Sequence, residues 1–151
     1  MRRLWLSATF CLVTLLTVAG PALAREPIRE PFLLPDVIED SSCGFLVVVT
    51  FPVQQEFITT YFDSAGEPVK QIITGRLVAT FRNPANGVTF TLNISGPIHT
   101  FLSTGEAYAS GRVGGPVGFE PGLNSFSGRV NLVTGELRGH LEPLCPILAG
   151  T

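Results

Sequence analysis

The stretch "LVATFRNPANGVTFTLNI", Leu77–Ile94, decides how the rest of the chain is read. Apolar and polar residues alternate on both sides of Pro84–Gly87, and Pro-Ala-Asn-Gly is turn chemistry, so the stretch reads as a β-hairpin with a four-residue loop. That register sets Phe81 opposite Phe90, Ala79 opposite Leu92 and Leu77 opposite Ile94. Arg82, Thr80, Thr89, Thr91 and Asn93 take the other side, so one face is apolar and the other wet. Asn93-Ile94-Ser95 is a glycosylation sequon on the wet face.

Working outward, β-branched and aromatic residues continue to alternate with polar ones between Gly, Pro and Asn punctuation, and no window carries a helical period. About eight strands are predicted: Gly44–Phe51, Gln54–Phe62, Val69–Arg82, Val88–Ser95, Ile98–Ser103, Glu106–Val113, Ser125–Val133 and Glu136–Glu142. Thr104-Gly105 and Thr134-Gly135 read as two-residue hairpin turns. "SGRV" at Ser110–Val113 and Ser127–Val130, with "TGRL" at Thr74–Leu77, places Gly75, Gly111 and Gly128 on the apolar inner face as bend markers. Arg76, Arg112 and Arg129 point outward as solvated partners for nearby acids.

The first 24 residues join Arg2-Arg3, an apolar run from Leu4 to Val18 and a small-residue ending at Ala24, the pattern of a secretory signal peptide. With the leader removed, no remaining segment is long and apolar enough to span a bilayer as a helix, and the product is expected outside the cell. The formal net charge of −2 becomes −4 once Arg2 and Arg3 leave. An acidic protein of this kind is not steered to nucleic acid or anionic lipid. Residues 25–42, with three prolines, read as an irregular tail, 43–147 as the β-domain and 148–151 as a C-terminal tail.

Cys11 leaves with the leader, so Cys43 and Cys145 remain in an oxidising compartment and are expected to pair. Cys43 precedes the first predicted strand and Cys145 follows the last. With eight up-and-down strands the bridge would set first and last strands side by side, which predicts a closed antiparallel β-barrel, with a β-sandwich as the alternative.

Catalytic signatures are absent from the sequence: no G-x-S-x-G, no H-E-x-x-H, no P-loop and no metal-type Cys/His spacing, so no catalytic residue, metal or cofactor is assigned. The candidate ligand-binding residues are Phe81, Phe90 and Leu92 on the inner face, His99, Phe101 and Tyr108 on a mixed face, and Phe119 in the long loop Gly114–Asn124. Asp63, Glu67, Glu120 and Glu142 could gather at the same end. The layout from the leader through "CGFLVVVT", "FRNPANGVTFTLNISGPIHT", "GRVNLVTGELRGH" and "LCPILAG" resembles uncharacterised small secreted single-disulfide β-proteins of actinomycetes. That resemblance implies an exported bacterial β-domain and carries over no site residue. The function expected is a binding module for a small apolar ligand or an extracellular partner protein. A barrel-fold enzyme of cyclase type and an inhibitor or interaction protein are the alternatives.

Overall fold

The computed structural model describes residues 25–115 and 121–150. The predicted signal peptide, Phe119 and Glu120 lie outside the described residues. Nine strands form one antiparallel sheet, followed by a short helix: β1 (Ile28–Phe32), β2 (Val37–Asp40), β3 (Val47–Phe62), β4 (Pro68–Arg82), β5 (Thr89–Asn93), β6 (Ile98–Phe101), β7 (Ala107–Gly115), β8 (Asn124–Asn131), β9 (Leu137–Pro143) and α1 (Cys145–Ala149).

The spine is the β3–β4 ribbon. Each of its strands is long enough to serve two partners in succession: β1 and β2 share the free edge of β3, while β5 and β6 share the free edge of β4. From β6 the sheet continues through β7 and β8 to β9. The hairpin that opened the sequence reading holds, with Phe81 paired to Phe90 and Ala79 to Leu92.

The expected barrel does not form. The sheet is open, because among the described residues β9 pairs only with β8, and the edge of β3 that closure would require is occupied by β1 and β2. Two features of the chain produce the difference. Residues 25–42, expected to be irregular, supply those two edge strands. The segments 44–51 and 54–62, expected as separate strands, are largely one strand with a bulge between Thr50 and Val53. Pro52 has no N–H to give to a ladder, and a bulge tolerates that as well as a turn does.

Cys43 and Cys145 do pair, with Cα atoms 5.3 Å apart. Their bridge ties α1, not the last strand, to the turn before β3. Pro146 sits in the first turn of α1, where a missing N–H costs nothing, and Gly150 ends the helix at φ 79°. Asn83, just before the "PANG" turn, and Asn86 within it donate their side-chain amides to the Leu148 carbonyl at 3.1 and 2.9 Å. Leu144 and Leu148 are thereby pressed into the main core with Val47, Phe81, Leu92 and Leu123. Burying each such side chain contributes about 1.5–3 kcal/mol. A second, smaller core of Ala109, Phe126 and Val130 lies under β7 and β8.

The two Thr-Gly turns are longer than read from sequence. Phe101 N donates to Glu106 O and Asn131 N to Glu136 O, as Asn83 N does to Val88 O, so all three hairpins share one four-residue loop. Each ends on glycine at positive φ: Gly87, Gly105 and Gly135. Leu137 therefore pairs with Val130, where a two-residue turn at Thr134-Gly135 would have set it opposite Leu132. A slip of two residues leaves every side chain on its expected face. The glycines of the repeated tripeptides are exposed instead of interior, though all three hold positive φ. Gly128 lies opposite Gly139, where a Cβ would sit 2.3 Å from Arg138 O. No described acid ion-pairs with Arg76, Arg112 or Arg129; Arg129 stacks instead on Tyr108, 4.1 Å from the ring centre.

Candidate functional site

The curl of the sheet brings β7 back over the β4–β5 hairpin: a Cβ placed on Gly114 would lie 2.9 Å from Ile94 Cγ2 and 3.8 Å from Phe81 Cζ. Between this crossing and the N-terminal strands lies a cavity of about 270 Å³. Phe32, Leu34 and Ile38 wall it on the N-terminal side, Val49, Phe51, Leu77, Ala79 and Phe81 form its floor, and Ile94, Ile98 and Val113 complete it. Leu34 is fixed at the wall by its N–H, which donates to Gln54 Oε1 at 2.9 Å.

Two lining residues are ionisable, Asp40 and Glu56, and both are acids. Asp40 Oδ1 accepts hydrogen bonds from the backbone N–H and the hydroxyl of Ser42, so it is already employed in the turn before β3. Glu56 is different. Only 7% of it is exposed, and no hydrogen bond or ion pair reaches its carboxyl among the described residues. Burial raises its pKa above the ordinary carboxylate value.

The β3 bulge is what turns Glu56 inward. Val49 pairs with Phe81 and Gln54 with Leu77, so six residues of β3 match five of β4. Without the extra residue Gln55 would face the core; with it, Gln54, Glu56 and Ile58 do. The sequence reading missed Glu56 because "QQE" in a strand reads as a solvated face. The local signal for the bulge is Pro52, which falls between the expected strands Gly44–Phe51 and Gln54–Phe62.

The residues singled out from sequence divide between places. Phe81 lines the cavity, while Leu92 and Phe90 pack in the core beside it. His99, Phe101 and Tyr108 come together on the opposite face of the sheet: His99 stacks on Tyr108 at 4.7 Å and 13°, and Phe101 lies 6.0 Å from Tyr108. A broad groove of about 420 Å³ runs over this face, bordered by Glu106, Arg129, Glu136 and Arg138. His99 Nδ1 is buried without a partner, and burial, then Lys70 and Arg129, lower the pKa of the ring. In the groove Arg138 pairs with Glu136, the two side chains 79% and 60% exposed, so the pair contributes little. Asp63 Oδ1 accepts from Ala65 and Glu67 N–H groups and shapes a turn. Among the described residues no three of His, Cys, Asp and Glu converge as a metal site would require.

Compared with protein-family models, curated proteins and solved structures, the chain matches none of them.

Proposed function

We propose that the protein is an exported, disulfide-tied β-sheet module that binds a small apolar or amphipathic molecule in the cavity between the N-terminal strands and the β4–β7 crossing. Export is supported by the leader pattern of residues 1–24 and agrees with the Cys43–Cys145 bridge. Binding is supported by one observation above the others: an apolar cavity of about 270 Å³ with a buried carboxyl in its wall. Concave apolar walls with few convergent polar groups are the usual form of a small-molecule site. A cyclase-type enzyme would need His99, Tyr108 or a carboxyl turned into its cavity; His99 and Tyr108 do not line this one, which leaves that role to acids alone. With Asp40 already held by Ser42 and no base in the described wall, the remaining carboxyl suits recognition better than acid–base work in which a second group must take the proton.

Native mass spectrometry of protein purified from its own culture tests this reading. An adduct of small mass is expected, lost in Ala79→Leu, which pushes methyl groups into the cavity. A bound protein instead of a small molecule, or an adduct unaffected by that substitution, overturns it.

A further inference from the structure

We infer that the ligand is an apolar molecule carrying one cationic amine, with Glu56 as its counter-ion. The inference rests on the cavity reading above and names the chemistry that reading leaves open. Its basis is the balance of groups in the wall: two acids, no described base, and otherwise hydrocarbon. Asp40 is engaged by Ser42, which leaves the Glu56 carboxyl as the polar group with unused capacity.

The neighbours of Glu56 supply nothing to neutralise it. Phe32 of β1 pairs with it on one side and Gly75 of β4 on the other. From β2, Asp40 adds a second negative group to the same cavity. A purely hydrocarbon ligand would seal an unpartnered carboxyl away from the last of its water, which is unfavourable for a charged group left without a partner. A ligand carboxylate would meet two acids. An ammonium group removes the penalty on both partners, because each ion replaces the other's lost hydration with a charge-assisted hydrogen bond. The remaining walls then set the rest of the ligand: an aromatic or short alkyl body of the size the cavity holds.

The test uses the disulfide-bonded protein and three probes of equal shape: 3-phenylpropylamine, 3-phenylpropanol and 3-phenylpropanoate, titrated by calorimetry. The amine is expected to bind about tenfold or more tightly than the alcohol, and the carboxylate not at all. Glu56→Gln should bring the amine down to the affinity of the alcohol and leave the alcohol unchanged. In the unaltered protein, amine binding should weaken as the pH is lowered through the raised Glu56 value, because Glu56 takes up a proton while the amine stays charged. The alcohol should not respond. If alcohol and amine bind equally, or if the amine preference survives in Glu56→Gln, the counter-ion role is overturned while the cavity reading stands. Binding of none of the three probes overturns the cavity reading, and this inference with it.

Discussion

Glu56 stores instability that pH can release. Its folded-state pKa is raised, so between the ordinary carboxylate value and the raised one the folded protein holds more protons than the unfolded chain. Stability is therefore fullest in acid, below the ordinary value, and falls as pH rises through the raised value. Glu56→Leu should remove that slope and gain on the order of 1–3 kcal/mol at neutral pH, with the gain shrinking in acid; urea titrations across pH would show it. Gly75, paired with Glu56, offers the opposite experiment. At φ 149° a Cβ would stand 2.1 Å from Gln55 O and 2.6 Å from Glu56 Cα, both backbone atoms that cannot yield. Gly75→Ala should cost more than about 3 kcal/mol or abolish folding, read as lost cooperative unfolding. At this scale the sequence exposed Gly75 as a special position through its tripeptide, yet hid Glu56, because inward orientation depends on a bulge one turn of pleat away.

The strands show which local signals survive assembly. Alternation and turn chemistry around "PANG" predicted the β4–β5 pairing residue by residue, since adjacent strands joined by a short loop have one register to choose. The N-terminal strands escaped the same logic. β1 and β2 are mostly exposed and carry Pro31 and charged residues, the composition of an edge strand as much as of a tail. Their role is to cover β3. Deleting residues 25–40 should uncover the β3 edge and the cavity together, giving concentration-dependent oligomers by size-exclusion chromatography, where the full chain stays monodisperse. The α1 element depends on its tether. The bridge spans 102 residues, so replacing both cysteines by serine should cost up to roughly 4–5 kcal/mol by loop entropy, with measured losses often smaller, and should loosen Leu144 and Leu148 from the core. Thermal melts with and without reductant would check this.

For the whole molecule, the proposed binding follows from how the sheet curls. A ligand that binds only the folded state stabilises it by mass action, about 2.7 kcal/mol at a hundredfold excess over Kd. Saturating 3-phenylpropylamine should accordingly raise the melting temperature by several degrees, and Ala79→Leu should abolish the shift while keeping a cooperative melt. The amino-acid sequence by itself determined the β class, the hairpin faces, the paired cysteines and the separation of His99, Phe101 and Tyr108 from the apolar side. Those properties depend on period-two patterning, short turns and cysteine number, all of them local or countable. Closure was decided only in three dimensions. An open or a closed sheet turns on which strand takes the free edge of β3, and that is a competition between segments far apart in the chain. β1 and β2 win it because they lie close in sequence to β3 and reach its edge through short connections, whereas β9 is held by β8 on one side and followed at once by α1 and its disulfide. The same assembly leaves a cavity where a closed barrel would have had a centre, with Glu56 turned into it by one extra residue in β3.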